Sequence, residues 1–312
     1  MVRIGVVGTG GWGKNHVRVL NELDSLGAVC DIDKTKVESY RVKYGVNGYT
    51  SFDEMISKEK LDGVTICTPA TTHFKLASKS LSSGLHTFVE KPMTVSSDEG
   101  RKLIEIAKSS NRILTVGFIE RFNPAISELN SIIKQRKLGN LILLEFHREN
   151  RRADTVTDVG IVKDASVHDI DTARWLFQEE PSLVFARVGN VKSEREDFAA
   201  IMLGFSGKKT AFLTTNWVTP NRVRTLSAVF EEGVVEVDFV TQQIKIHQQN
   251  GTQIPARQVQ EPLMLELKEF ISAIEEGREP LVTGKDGLMV TLIAEAVLAS
   301  ASSGAPIFLG GS

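Results

Sequence analysis

The chain has 312 residues, 41% of them hydrophobic and 24% charged, with a formal net charge of −2 and a pI near 6.3. That length is too great for one small core and suits two domains, and the mild acidic balance gives no global attraction for nucleic acid or an anionic membrane. No apolar run reads as long enough to cross a bilayer, and the apolar start at 2–7 is short for a secretory signal and runs straight into glycines. The expectation is a cytoplasmic protein with no nucleic-acid and no membrane partner.

In chain order, short apolar runs alternate with helical stretches. Strands are expected at 2–7, 26–30, 64–67, 86–89 and 113–116, with helices at 12–23, 34–44, 72–83 and 96–109. Continuous β-branched runs separated by helices predict a parallel sheet covered on both faces, the doubly wound α/β pattern. After Gly117 the pattern changes. An amphipathic helix at 121–137, closed by Gly139, leads into strands at 141–148, 183–191, 199–205, 210–217, 224–230, 233–239 and 243–247. Short polar turns such as Ser206-Gly207-Lys208 suit antiparallel hairpins. A helix near 169–177 interrupts the strands, and 262–276 and 286–302 are again helical. The pattern therefore predicts an N-terminal doubly wound domain, 1–118, and a C-terminal α+β domain, 119–312, rich in antiparallel hairpins. The last helices are free to pack back on the first domain. Cys30 and Cys67 form no CxxC and each closes an apolar run, so both read as reduced core thiols.

The first strand enters Gly8-Thr9-Gly10-Gly11-Trp12-Gly13 and a helix follows. This is GxGxxG in its working context: Gly8 for the tight turn, Gly10 for close approach of a pyrophosphate, Gly13 for helix–strand packing. Unpaired amides at the helix start can bind the phosphates. Asp31 stands 18 residues after Gly13, where an acid bonds the adenosine ribose hydroxyls and repels a 2′-phosphate. NAD is thus favoured over NADP, with Lys34 and Lys36 close by. Asp33 is either a further cofactor contact or a helix N-cap.

The next strand ends run into Thr68-Pro69-Ala70-Thr71-Thr72-His73 and Glu90-Lys91-Pro92. Ligands in such sheets sit beyond the carboxyl ends of the strands. Thr68, Pro69 and His73 are candidate cofactor contacts, while capping alone accounts for Thr71 and Thr72. Lys91 can bond a substrate hydroxyl and stabilise charge as a hydride leaves, and Glu90 can orient it or meet the cofactor. The rival reading is a surface Glu–Lys pair before a turn proline. Further on, Asp164 and His168 stand four apart, which on a helical turn puts them on one face. His168 is suited to take an alcohol proton and Asp164 to hold its tautomer. Helix-start capping by Asp169 or Asp171 is the alternative. No tight His/Cys cluster supports a metal.

Together GTGGWG, TPATTH, VEKP, VGFIERFNPA and DVGIVKDASVHDID resemble the glucose-fructose oxidoreductase / inositol dehydrogenase / MocA family over essentially the whole chain. The resemblance implies that Lys91 is the catalytic lysine of EKP, with a cis peptide to Pro92, and that Asp164 and His168 are the catalytic pair. It implies a Rossmann domain followed by a domain on a large, mostly antiparallel open sheet. The stretches 116–125 and 158–162 resemble, more narrowly, the branch that oxidises UDP-N-acetylglucosamine at the sugar 3-position. On that reading Glu120, Arg121 and Asn123 face the substrate, and Arg148, Arg151 and Arg152 meet its pyrophosphate; a salt bridge, a helix cap and a solvated loop are the plainer accounts. The polar stretch 150–160 reads as a loop over the site. The function expected is NAD-dependent hydride transfer at a secondary alcohol of a sugar ring. Alternatives are a free sugar or inositol substrate, or a dinucleotide-binding regulator without turnover. A large sheet with few helices to cover it predicts a homodimer or homotetramer through that sheet.

Overall fold

The computed structural model describes residues 1–151, 158–257 and 259–310. The chain forms two compact units, Met1–Gly117 with Leu263–Thr291, and Phe118–Pro262 with Leu292–Ser312.

The first unit begins β1 (Ile4–Val7), α1 (Gly13–Glu22), β2 (Leu26–Cys30), α2 (Lys34–Tyr44), β3 (Asn47–Tyr49), α3 (Phe52–Lys58), β4 (Gly63–Ile66), α4 (Ala70–Ser82), β5 (His86–Val89), α5 (Ser97–Ser110) and β6 (Leu114–Val116). Its six strands are parallel in the order β3-β2-β1-β4-β5-β6. Every residue of β1 and β4 is buried, as helices on both faces require. The order reverses across β1 and β4, which opens a crevice at their carboxyl ends. Ser51 and Ser96 cap α3 and α5 by accepting from Glu54 N and Glu99 N. β3 and α3 escape the sequence pattern: three polar-flanked residues and a seven-residue helix carry too little periodicity.

The second unit contains a 3₁₀ turn at Ile119–Phe122, then α6 (Pro124–Lys134), β7 (Leu141–Glu149), a π turn at Val162–Ser166, α7 (Val167–Phe177), β8 (Leu183–Gly189), β9 (Phe198–Gly204), β10 (Thr210–Asn216), β11 (Val223–Phe230), β12 (Gly233–Asp238), β13 (Gln243–Gln248) and β14 (Gly251–Gln253). The helix expected at 121–137 thus begins later. Asn123 accepts from Ala125 N as its cap and Pro124 takes the first helical position. After α8 (Pro262–Glu276) and α9 (Gly284–Ser303), β15 (Ile307–Phe308) completes a nine-stranded sheet in the order β14-β13-β12-β11-β7-β10-β9-β8-β15. Only β7 and β10 run parallel within it.

Within 119–312, whose last helices are expected to be free to pack back on the first domain, Leu263–Thr291 counts with the first unit. The reason is local contact. The Phe270 ring lies edge-on to Phe88 at 5.8 Å, and Thr115 Oγ1 donates to Val282 O at 2.7 Å. Phe88 is fully buried, which stabilises by roughly 1.5–3 kcal/mol. A second correction concerns α9, which is long and apolar enough by length and composition to cross a membrane. It is a core helix: Val290, Ile293, Ala294 and Val297 are buried, and it carries Lys285, Asp286 and Glu295.

Candidate active site

The glycine loop leaves β1 with Gly8 at φ +84°, a conformation that L side chains rarely adopt. A Cβ on Gly13 would sit 1.8 Å from Gly8 O, so only glycine lets α1 start so close to the strand. Gly10 differs: a Cβ there meets no protein atom within 4 Å. Nothing inside the protein demands glycine at that position, which suits a loop whose open side must admit a pyrophosphate. Helix α1 begins after Trp12 with no side-chain cap and no acidic residue in its first turn, leaving its positive end to an anion. Gly11 and Trp12 are exposed beside it.

Asp31, at the end of β2, is nearly buried and grips this loop. It accepts from Thr9 N at 2.7 Å, Thr9 Oγ1 at 2.9 Å and Asp33 N at 3.0 Å. Burial alone raises its pKa, but these hydrogen bonds, with help from Lys36, prevail and hold the carboxyl below its ordinary range. A charged carboxylate therefore stands at the end of β2, against the glycine loop. Asp33 caps α2, accepting from Thr35 N and Lys36 N, so capping accounts for it.

At the end of β4, α4 begins at Ala70 behind Pro69. Thr71 and Thr72 thus lie inside its first turn rather than capping it, and the Thr72 hydroxyl donates to Pro69 O. Thr68 Oγ1 meets Thr72 Oγ1 at 2.7 Å. His73 is buried. It is 1% exposed, with Nδ1 2.8 Å from Pro92 O and Nε2 2.8 Å from Thr68 O. Its ring ties the β4 end to the turn after β5. There the Lys91–Pro92 peptide is cis. Glu90 is buried, accepts from Lys91 N at 3.2 Å, and faces His16 Nε2 at 2.9 Å. His16 was missed in the sequence, although it falls on the buried face of α1 one turn after Gly13.

In the second unit Asp164 lies in the π turn and His168 in the first turn of α7, both half-buried. The helical turn expected between them is a π turn running into α7. Ser166 Oγ donates to Thr215 Oγ1 at 3.1 Å, and Ile161 N to Glu196 O at 3.0 Å, tying the turn to β10 and to the segment that leads into β9.

Asp169 and Asp171 are each gripped by an arginine. Arg148 is 2% exposed and grips Asp169 with Nε at 3.0 Å to both carboxylate oxygens and NH2 at 2.7 Å, and also reaches Glu120 at 3.1 Å. Burial works to lower the Arg148 pKa, but Asp169 and Glu120 hold it above its ordinary value. Arg121 grips Asp171 through Nε at 2.7 Å and NH2 at 2.6 Å. Asn123 donates to Phe239 O and Glu120 Oε2. Glu120, Arg121, Asn123 and Arg148, expected to meet the substrate, are all buried: Glu120, Asn123, Arg148 and Asp169 form one hydrogen-bonded cluster, and Arg121 pairs with Asp171. Charges excluded from water need partners inside, and each of these carboxylates has an arginine, though burial still raises the Asp169 pKa and Arg148 Nη1 has no hydrogen-bond partner among the described residues. Arg224, opposite Arg148 in register, was also missed; burial and then the Arg148 charge push it down to about 10.

Arg151 stays exposed, and Arg152 lies outside the described residues. Arg151, Lys192, Asp197 and Trp217 line a cavity of about 380 Å³. Asp197 accepts from Val191, Lys192 and Ser193 N–H groups at 2.7–3.2 Å, fixing the turn that carries Lys192. A larger hollow, about 500 Å³ along α2, β3 and α3, is lined by two ion pairs, Lys58 with Glu54 and Arg41 with Glu38, together with Lys34. Burial pushes the Cys30 thiol up to about 12 and raises Cys67 as well, so neither is a thiolate nucleophile.

Residues 2–118 match the oxidoreductase family with an NAD-binding Rossmann fold, and 126–236 match the GFO/IDH/MocA C-terminal domain. The chain is 25% identical over 303 residues to UDP-N-acetylglucosamine 3-dehydrogenase of Acidithiobacillus ferrooxidans, covering 94% of this chain and 95% of that one. A solved structure of that enzyme superposes with a TM-score of 0.89, over 96% of this chain and 98% of the other at 25% identity. Myo-inositol 2-dehydrogenase of Thermotoga maritima is 26% identical over 317 residues, 95% of each chain. With its glycine loop, EKP strand end and Rossmann and open-sheet units, the chain belongs to the Gfo/Idh/MocA oxidoreductase family and is an NAD-binding dehydrogenase acting on a CH–OH group.

Proposed function

We propose that the protein oxidises a secondary alcohol of a nucleotide sugar, a UDP-sugar such as UDP-N-acetylglucosamine at C3, with NAD as partner. NAD, when bound, supplies the hydride acceptor. The amides of Gly10 to Gly13 hold its phosphates, and Asp31 holds its ribose. The carboxylate of Asp31 and the exposed Ile32 beside it offer a 2′-phosphate no cation, and Lys36 lies 3.9 Å from Asp33, which favours NAD over NADP. Lys91 donates a hydrogen bond to the substrate oxygen and stabilises its negative charge. His168 takes the hydroxyl proton, and Asp164 sets its orientation.

The observation that carries this reading lies in one sheet. β1, β4 and β5 are neighbours, and their carboxyl ends deliver the glycine loop, Thr68 and Lys91 to one crevice. The nucleotide part rests on Arg151 and Lys192 at the cavity beside Trp217, two cations and an indole suited to phosphate and base. The similarity to a UDP-N-acetylglucosamine dehydrogenase supports the same choice. The inositol dehydrogenase relative favours a second reading, a free polyol with the same chemistry.

The outer face of the nine-stranded sheet bears Phe185, Met202 and Phe212 side by side across β8, β9 and β10. Phe212 is 45% exposed, and a second copy of this chain is the partner that such a face fits. Two free thiols, Cys30 buried and Cys67 partly so, suit the cytoplasm. The test is a panel of UDP-sugars, free sugars and inositol with NAD, following reduced cofactor. Turnover of the UDP-sugar is expected, with losses of about 100-fold or more in Lys91→Ala and in His168→Ala. A double variant with intact turnover overturns the mechanism; turnover of free inositol alone overturns the substrate.

A further inference from the structure

The dinucleotide helix and the EKP strand are joined by one buried hydrogen bond. His16, on α1, has no exposed surface, and its Nε2 lies 2.9 Å from Glu90 Oε1. A carboxylate only accepts, so Nε2 carries the proton. Nδ1 is buried with no hydrogen-bond partner among the described residues, which suits a bare lone pair better than a buried N–H. The other Glu90 oxygen, Oε2, accepts from the backbone N–H of Lys91. On a third side a Cβ on Gly117 would lie 3.0 Å from Oε2, so the carboxylate rests against bare backbone. Phe88 packs edge-on against the imidazole at 5.3 Å and prevents it from turning.

We infer that His16 is a positioning residue: as the neutral Nε2–H tautomer it locks the Glu90 carboxylate, and through it the backbone at Lys91, to the helix that carries the cofactor loop. This rests on the reading of Lys91 as a catalytic residue. Its consequence is a fixed distance between the lysine's strand end and the dinucleotide loop.

Two measurements test it. In ¹⁵N-histidine-labelled protein, His16 is expected to show a protonated Nε2 and an unprotonated Nδ1 at neutral pH. In Glu90→Ala the Nε2 proton is expected to lose its hydrogen-bonded downfield position. A protonated Nδ1, or a Nε2 proton unmoved in Glu90→Ala, overturns the inference without any substrate. In turnover of UDP-N-acetylglucosamine, His16→Gln is expected to retain kcat within about threefold. Its amide nitrogen reaches the same point. His16→Asn falls short, and about a tenfold loss in kcat with little change in KM for NAD is expected, as for a small misplacement of a reacting group. A His16→Leu change is expected to cost as much in the parent and less than about twofold in Glu90→Ala, because coupled residues are not additive. Equal kcat for the Gln and Asn variants, or equal factors in both backgrounds, defeats the proposal. A Lys91→Ala enzyme that stays active defeats the reading beneath it, a separate failure.

Discussion

Two glycines three residues apart make opposite predictions. In Gly13→Ala the new Cβ would lie 1.8 Å from Gly8 O and 2.9 Å from Gly8 C, both backbone atoms that cannot swing aside. The start of α1 must move, and overpacking of this kind costs about 1–3 kcal/mol or more. In Gly10→Ala the Cβ meets nothing within 4 Å, and Gly10 is absent from the positive-φ positions. Alanine there restricts the unfolded chain and leaves stability unchanged or raised by about 0.4–1 kcal/mol. The added methyl does occupy the side from which a pyrophosphate approaches. Losing one or two charge-assisted amide–phosphate bonds, at about 1.5–3 kcal/mol each, weakens NAD binding by roughly 10-fold to well over 100-fold. Thermal unfolding and calorimetric titration with NAD separate the two variants. Gly13→Ala is expected to melt lower, by roughly 2–4 °C for each kcal/mol lost. Gly10→Ala is expected to melt at or above the parent temperature and bind NAD poorly. A Gly10→Ala protein that binds NAD like the parent, or that melts as low as Gly13→Ala, refutes the assignment of that open side to the cofactor.

Other expectations are independent of it. Arg148→Met strands the buried Asp169 and Glu120 carboxylates and is expected to destabilise by about 3–5 kcal/mol in urea unfolding; a shift under 1 kcal/mol would show that the network carries little. Asp31 has a lowered folded pKa, so its share of stability is present above the unfolded carboxylate range and is lost as pH falls through the folded value. Asp31→Asn is expected to flatten that acid limb in a pH series of melting temperatures, and a limb of unchanged slope argues against it. Phe212→Asp is expected to shift the species seen by light scattering from dimer or tetramer to monomer, and a parent protein that is already monomeric contradicts the interface. Arg151→Ala with Lys192→Ala is expected to raise KM for a UDP-sugar about tenfold or more and leave KM for NAD unchanged, since each removes one phosphate partner. Equal KM values for the UDP-sugar would remove the cavity from the site.

The candidate site is legible in the sequence where its signals are local. GxGxxG, EKP and DxxxH are short, and each lies at the end of an element whose own apolar pattern announces it. The strand at 26–30 and helices at 34–44 and 262–276 match the structure residue for residue for the same reason. Weak periodicity hid β3, α3 and the three-residue β14.

What the amino-acid order determined alone was therefore the alternation of elements, the change of class after Gly117 and the chemical groups on offer. Which of those groups face each other was decided only in three dimensions. His16 meets Glu90 across 74 positions, Arg121 meets Asp171 across 50, and Arg148 meets Asp169 across 21. A charged residue near a motif looks the same in one dimension whether it will face solvent, substrate or another buried charge. Burial resolves the choice, because an ion removed from water must find its counterpart within the fold, and that counterpart has no fixed distance along the chain.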